Sequence, residues 1–169
     1  MSSKFANLTT ERLFLRELQA GDAEEIFRLR SDERVNQFVD RARAVTIDDA
    51  HNFIQMIQRN SANDEGLFWA LTLIGEAKLI GTIVYWHIEW ENCKAEIGYE
   101  MLPEYQGQGL MSEALKKVIE FGFEELKFRE ITAEPNERNV KSIRLLEKLG
   151  FDLTGTDGDY LIYSLSSVS

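Results

Sequence analysis

The residues with the clearest chemical potential are Gln106, Gly107, Gln108 and Gly109, which stand between a predicted strand and an amphipathic helix predicted to begin at Leu110. A glycine-rich turn at that place leaves several backbone N–H groups unpaired at the helix N-terminus, where the helix dipole favours negative charge. Glycine also allows an anion to approach the main chain closely. The segment therefore predicts a cradle for a pyrophosphate.

Taken alone, this motif is also compatible with a tight turn before a helix, or with dinucleotide binding. The dinucleotide fingerprint requires a third glycine at position 112, which is Ser112 here, and an acidic residue about 20 residues further on. The preceding strands are joined by short turns, which predicts antiparallel pairing rather than helical crossovers. Dinucleotide binding is therefore the weaker alternative.

A second motif lies further along the chain, where Asn139 and Ser142 begin a predicted helix that ends in Leu149-Gly150-Phe151. Together with the glycine turn, it makes the chain resemble the GNAT superfamily of acetyl-CoA-dependent N-acetyltransferases. The similarity is greatest to the branch that acetylates the N-termini of ribosomal proteins, the ribosomal-protein-alanine N-acetyltransferases. It runs from about residue 13 to 165 and is sharpest from 95 to 151.

The turn follows the superfamily pattern Gln/Arg-x-x-Gly-x-Gly/Ala at Gln106, Gly109 and Met111, although Met111 departs from the small residue of the last position. The resemblance implies that this turn wraps the pyrophosphate of coenzyme A. It also implies that the pantetheine arm enters a V between the strand ending at Met101 and Leu102 and the strand ending at 133–134. A main-chain N–H within residues 99–101 would then stabilise the oxyanion.

The resemblance thus gives a set of expected coenzyme A-binding residues, with acetyl-CoA as co-substrate and no metal. They are Tyr99, Met101, Leu102, Gln106, Gly107, Gln108, Gly109, Leu110, Met111, Ser112 and Asn139.

Acetyl transfer to an amine needs a base, because a primary amine near pH 7 is mostly protonated. Glu96 lies ten residues before Gln106, where related enzymes often keep a carboxylate, and partial burial can raise the pKa of a glutamate. Glu100 shares the same strand face by period two and is a second candidate. His87 is a third. A purely solvated or ion-paired role for Glu96 stays open.

The leaving thiolate needs a proton donor. Many family members use a tyrosine seven residues after the asparagine, but that position is Leu146 here, which cannot donate. The ribosomal-protein branch has a serine three residues after the asparagine, and Ser142 is accordingly the expected acid. Two simpler interpretations remain: Ser142 could bond the backbone of its own helix, and Asn139 could serve as the helix N-cap.

Hydrophobic periodicity predicts the elements that position these residues. The order β-α-α-β-β-β-α-β-α-β-β indicates a mixed α/β GNAT fold, a mostly antiparallel, splayed sheet of about seven strands with about four helices. Helices are expected after Asp22, near Thr46, at Leu110 and at Asn139, with Asp22 as a candidate N-cap and Gly150 as a left-handed C-cap. No linker or repeat divides residues 1–169 into two domains.

Composition narrows the classes of function. The chain has 169 residues, 44% hydrophobic and 28% charged, with a net charge of −10. This acidic balance argues against nucleic-acid binding and suits a cationic acceptor or simple solubility. A single cysteine, Cys93, excludes an internal disulfide. Because no signal peptide or membrane-spanning run is evident, a cytoplasmic protein without a membrane partner is expected.

The sequence therefore predicts an acetyl-CoA-dependent N-acetyltransferase that transfers the acetyl group directly to a primary amine. The resemblance suggests a protein N-terminus as acceptor, such as that of a ribosomal protein, whereas the net charge suggests a small amine or polyamine. Aminoglycosides are a third option. A non-catalytic acyl-CoA sensor is the non-enzymatic alternative. Related proteins are often dimers, so a homodimer is also an expectation.

Overall fold

The computed structural model describes residues 4–168, and these residues form one sheet with helices on both faces. The eight strands are β1 (Leu8–Thr9), β2 (Leu13–Glu17), β3 (Leu67–Leu73), β4 (Leu79–Glu89), β5 (Lys94–Met101), β6 (Glu130–Ala133), β7 (Asp152–Asp157) and β8 (Tyr160–Ser166). The five α-helices are α1 (Ala23–Ser31), α2 (Glu33–Asn36), α3 (Ile47–Ala62), α4 (Leu110–Glu124) and α5 (Val140–Lys148). Short 3₁₀ turns cover Ala20–Asp22 and Pro103–Tyr105.

The sheet is antiparallel except at its centre. The strand order is β1-β2-β3-β4-β5-β6-β8-β7, and only β5 and β6 run parallel. These two strands share three register pairs, the last being Glu96 with Thr132, although β5 continues to Met101. Residues 97–101 therefore have no described strand partner on the β6 side. This separation confirms the splay that the family resemblance implies.

Two hydrophobic clusters cover the two faces of the sheet. On one face Leu110, Ala114 and Val118 of α4 pack together with Ile97 and Met101 of β5. The cluster on the other face is formed by α1, α3 and the opposite side of the strands, with Ile26, Leu29, Ile54, Phe68 and Leu102 among its members. Since strand side chains alternate between faces, Glu96 and Glu100 point to the side of α1 and α3, and Tyr99 points to the side of α4.

Two helix ends follow the expected local chemistry. The Asp49 carboxylate accepts the N–H of Thr46 at 3.2 Å, which stabilises the start of α3. At the end of α5, Gly150 has φ +97°, and the Phe151 N–H donates to the Leu146 carbonyl at 3.0 Å. That 6→1 bond is the Schellman arrangement, and it confirms Gly150 as a left-handed C-cap.

The predicted count of about seven strands and four helices missed two short elements, the two-residue β1 and the four-residue α2. Neither is long enough to show a hydrophobic period, and α2 depends on Asp32, whose carboxylate accepts the Arg34 N–H at 2.7 Å. Asp22 does precede α1, but its side chain makes no cap bond to that helix. It is buried and pairs with Arg16 at 2.8 Å instead.

No helix within residues 4–168 combines the length and the apolar character that crossing a bilayer requires.

Candidate active site

The gap between β5 and β6 is lined on one side by main-chain groups of β5. The N–H of Leu102 donates to the Ile80 carbonyl on β4 at 2.9 Å. Because successive residues direct their N–H groups to alternate sides of a strand, those of Tyr99 and Met101 face the gap, whereas that of Ile97 is used by β6 at the last register pair, opposite Thr132. Leu102 itself is fully buried, and its N–H is used by β4, so it offers no main-chain donor to the gap.

The glycine turn lies at the carboxyl end of β5, as the sequence predicts. Gly107 and Gly109 have φ values of +78° and +77°, and Gly109 immediately precedes α4. The Gln106 side-chain amide donates to the Met101 carbonyl at 2.8 Å. Leu110, Met111 and Ser112 then form the first turn of α4. The predicted cradle and the end of the gap are therefore held together by Gln106.

An ion pair that sequence reasoning missed holds the same turn from the other side. Arg12 donates from Nη1 to the Gln108 carbonyl at 3.0 Å and from Nε to Glu113 Oε1 at 2.8 Å. Arg12 precedes β2 and Glu113 is in the first turn of α4, 101 residues away along the chain. No local pattern could have related two residues so far apart.

Glu96 lies at the last register pair before the two strands separate. Its side chain is 15% exposed, and Oε1 is 3.0 Å from His87 Nδ1. His87 has φ +48° and stands where the register between β4 and β5 shifts. Such irregularities re-aim side chains next to functional sites. Two of the three candidate bases are thus brought into contact.

A third titratable group, Glu134, lies beside Glu96 and His87 and was not predicted as a site residue. Glu134 follows β6, two positions beyond the register partner of Glu96. Burial, a hydrogen bond with Glu96 and the charge of Glu96 raise the pKa of Glu134. The charge of Asp157 raises that pKa further, whereas His87 lowers it. Glu134 therefore keeps its proton to a higher pH than an isolated glutamate would.

Glu100, the second candidate base, has a different environment. Its carboxylate accepts Arg41 Nη2 at 2.8 Å, and Arg41 Nε donates to the buried Asn36 at 2.8 Å. The carboxylate of Glu100 is thus occupied by an ion pair with Arg41. Glu100 is therefore better placed to anchor the segment around Arg41 than to deprotonate an amine.

Trp86 forms a wall beside Glu96 on the same face of the sheet. Its ring stacks on His87 with centroids 5.5 Å apart, and it is 44% exposed. A Cβ added to Gly98 would lie 3.3 Å from that ring, closer than an ordinary contact, so the indole would have to shift. By contrast, Trp69 of β3 and Tyr85 of β4 are fully buried in the core.

Ser142 lies on the opposite side of the sheet, across the gap. Its hydroxyl is 2.5 Å from the Tyr99 hydroxyl. Its backbone N–H donates to Asn139 Oδ1 at 3.3 Å, so Asn139 does cap α5, whereas the Ser142 side chain bonds Tyr99. Burial raises the pKa of Tyr99 to about 12, although the bond to Ser142 acts in the opposite direction. Tyr99 is consequently protonated at neutral pH and can donate to Ser142.

The arrangement can therefore hold an extended ligand through the sheet, with a base on one face and a proton donor on the other. Leu146, at the position where many family members have tyrosine, is buried in the core and has no such role. No cluster of three or more His, Cys, Asp or Glu side chains suited to holding a metal occurs in the described part of the chain.

Comparison with known proteins agrees with this geometry. A family model described as an acetyltransferase (GNAT) domain matches residues 12–152. The uncharacterized N-acetyltransferase YoaA of Bacillus subtilis (strain 168) is 34% identical over 157 residues, covering 93% of this chain and 89% of that protein. The uncharacterized N-acetyltransferase p20 of Bacillus licheniformis is 33% identical over 153 residues, covering 90% and 86%.

A solved structure of similar shape is that of a putative ribosomal-protein-serine acetyltransferase from Vibrio cholerae. It aligns with a TM-score of 0.85 at 26% sequence identity, covering 99% of this chain and 100% of that chain. The match therefore extends over nearly the whole described fold.

Proposed function

The chain belongs to the GNAT family of acetyltransferases, and from that premise we propose that it transfers an acetyl group from acetyl-CoA directly to a primary amine. One observation carries the proposal. Strand β5 leaves β6 after Glu96, and this opens a gap with free main-chain donors, a glycine turn at one end, and Glu96 and Ser142 on opposite faces.

The co-substrate would be held mainly by backbone groups. The N–H groups of the turn from Gln106 to Ser112 would bind the pyrophosphate at the start of α4. The N–H and C=O groups of Tyr99 and the N–H of Met101 would pair with the pantetheine amides as a strand pairs with an added strand. A main-chain N–H of the same segment would stabilise the oxyanion on the thioester carbonyl.

Glu96 is the proposed base. An incoming ammonium would give a proton to its carboxylate, and the neighbouring His87, whose side chain is 74% exposed, can pass that proton to solvent. Glu134 adds a second carboxyl to the same position. Glu100 is assigned no such role because it is paired with Arg41.

Ser142 is the proposed acid. Its hydroxyl would donate a proton to the leaving sulfur, while the Tyr99 hydroxyl donates to Ser142 and restrains its orientation. Asn139 fixes the first turn of α5 through the Ser142 N–H, and its side-chain amide stays available to the pantetheine arm. The acid and the base thus act from different sides of the sheet.

The acceptor we propose is the amino group of a protein N-terminus. A chain end needs an open approach to the base, and the wall beside Glu96 is accessible at Trp86 and His87. The Vibrio cholerae neighbour is described as acting on a ribosomal protein. A small amine or polyamine is the second candidate, favoured by the carboxylates of Glu96, Glu134 and Asp157 around the same opening.

The test is release of free thiol from acetyl-CoA in the presence of N-terminal peptides, spermidine and simple amines, with calorimetry of coenzyme A binding in parallel. We expect binding of coenzyme A and amine-dependent thiol release that Glu96→Gln reduces without changing affinity. A peptide preference supports the first acceptor and a polyamine preference the second. Absence of binding to any thioester or to coenzyme A would refute the function.

A further inference from the structure

The glycine turn is fastened to the N-terminal part of the chain by an unusually well-bonded carboxylate. Glu113 accepts the Thr10 hydroxyl at 2.5 Å, the Arg12 N–H at 2.9 Å and Arg12 Nε at 2.8 Å. Burial would raise the pKa of Glu113, but the hydrogen bonds from Thr10 and Arg12 and the Arg12 charge lower it overall. Glu113 is therefore ionised, and its charge is matched by Arg12.

The same arginine also holds the turn itself. Arg12 Nη1 donates to the carbonyl of Gln108 at 3.0 Å. The peptide that joins Gln108 to Gly109 is trans and planar, so its C=O and N–H point in opposite directions. By fixing the carbonyl of Gln108, Arg12 directs the Gly109 N–H away from itself.

The charge of Arg12 has a second effect at this site. A carboxylate in the first turn of a helix occupies the region of positive potential that would otherwise attract a ligand anion. Glu113 is in that turn, and its partner Arg12 has a guanidinium nitrogen, Nη2, 3.5 Å from where a Cβ on Gly109 would lie. Arg12 thus offsets the repulsion that Glu113 alone would exert on a diphosphate.

We propose that Arg12 and Glu113 form a clamp that fixes the Gln108–Gly109 peptide for the diphosphate of coenzyme A, which makes Arg12 a positioning residue for that substrate. This inference rests on the proposed function, since it assumes that the turn binds coenzyme A. The chain separation of 101 residues means that the clamp exists only after the N-terminal strands have docked on α4.

Calorimetry of coenzyme A binding tests the clamp in three variants. Arg12→Ala should raise the Kd for coenzyme A about tenfold, the size of effect typical for hydrogen bonds to a charged group. Arg12→Lys should stay close to alanine, because one ammonium cannot reproduce the fork that reaches both Glu113 and Gln108. Arg34→Ala is the matched control, since Arg34 pairs with Asp32 at 2.9 Å in another part of the molecule.

Kinetics separate positioning from a general loss of fold. In Arg12→Ala the KM for acetyl-CoA should rise by a similar factor while kcat at saturation stays within about twofold. An equal Kd in wild type and Arg12→Ala, or full recovery in Arg12→Lys, overturns the clamp. Should Arg12→Ala not fold, Arg12→Gln replaces it, with the same rise in Kd expected, because glutamine keeps a polar side chain but loses the charge and the fork.

Hydrogen exchange in the free protein keeps this test independent of activity. The amides of residues 107–112 should exchange faster in Arg12→Ala than in wild type and in Arg34→Ala. Unchanged exchange there overturns the clamp even if the enzyme is active. If the wild type fails to bind coenzyme A, both the proposed function and the role of the clamp in binding are wrong. Faster exchange of residues 107–112 in Arg12→Ala would still show, in that case, that the clamp orders the turn.

Discussion

The two ends of the gap between β5 and β6 differ in the groups that would contact a ligand: main-chain groups at one end and side chains at the other. At the turn, the proposed ligand contacts are backbone N–H groups, shaped by Gly107 and Gly109 and fixed by the Arg12–Glu113 clamp. At the mouth, they are side chains from separate strands, with Glu96 on β5, His87 on β4 and Glu134 after β6.

This difference teaches where each substrate's specificity resides. A backbone cradle recognises a group that every reaction of the family uses, and it tolerates side-chain variation as long as the φ angles are available. A mouth made of side chains can be changed by single substitutions. We therefore expect replacement of a glycine at the turn to weaken coenzyme A binding, and replacement of a charged side chain at the mouth to slow the reaction.

The largest effect is expected at the cofactor end, from Gly109→Trp. A side chain at φ +77° is strained, and its Cβ would meet Arg12 while the indole filled the cradle. Coenzyme A binding should fall below detection by calorimetry. Gly158→Trp is the control, since Gly158 has φ +60° with nothing within 4 Å and lies in the turn between β7 and β8. Retained affinity in Gly109→Trp would contradict the cradle.

The next effect is expected at the mouth, from Glu96→Gln. Loss of a general base lowers kcat by about 10²–10⁴-fold, and coenzyme A affinity should not change because Glu96 is not part of the turn. Glu100→Gln is the informative comparison, because Glu100 is paired with Arg41. A large fall in kcat for Glu100→Gln, with little effect of Glu96→Gln, would move the base to Glu100.

Ser142→Ala should lower kcat by roughly ten- to a thousandfold with little change in coenzyme A affinity, as expected for a proton donor. Tyr99→Phe should have a smaller effect, because it removes only the hydroxyl that restrains Ser142. Both are measured as thiol release at saturating substrates. Unchanged turnover in Ser142→Ala would leave Ser142 with a structural role alone.

The smallest effect concerns stability at the mouth. A carboxyl whose pKa is raised by folding stabilises the fold while protonated, and that contribution is lost as pH rises through its folded pKa. Glu134 is such a group. Glu134→Gln should therefore match the wild-type Tm below about pH 4 and exceed it near pH 8. The gain should be only about 1–2 °C, because solvent screens an exposed carboxyl.

Differential scanning calorimetry across this pH range checks the sign, with Glu137→Gln as a control on the same exposed loop. A Tm difference for Glu134→Gln that does not depend on pH would contradict the raised pKa of Glu134.

The same contrast explains how much the sequence could predict. Gly150 was identified correctly because a left-handed residue at the C-terminal end of a helix is a local requirement. The shared face of Glu96 and Glu100 followed from period two. The splay came from the family resemblance, since no local pattern shows where two parallel strands separate.

Contacts that depend on register or on distant packing could not be predicted. Glu134 reaches Glu96 because β6 pairs with β5 in one particular register, and His87 does so because β4 is irregular there. The partner of Glu100, Arg41, comes from the segment between α2 and α3, which has no periodic pattern. The sequence therefore identified Glu96, His87, Tyr99 and Ser142 as candidates but not the contacts between them.

The opening in the middle of the sheet has a kinetic consequence. One reactant would arrive from the face of α1 and α3 and the other along the turn before α4. Both reactants can therefore be bound at the same time, and no product has to dissociate before the second reactant binds. Initial-velocity plots should then intersect rather than run parallel. A conjugate that joins the amine to the thiol through a two-carbon bridge would thread the sheet and compete with both reactants.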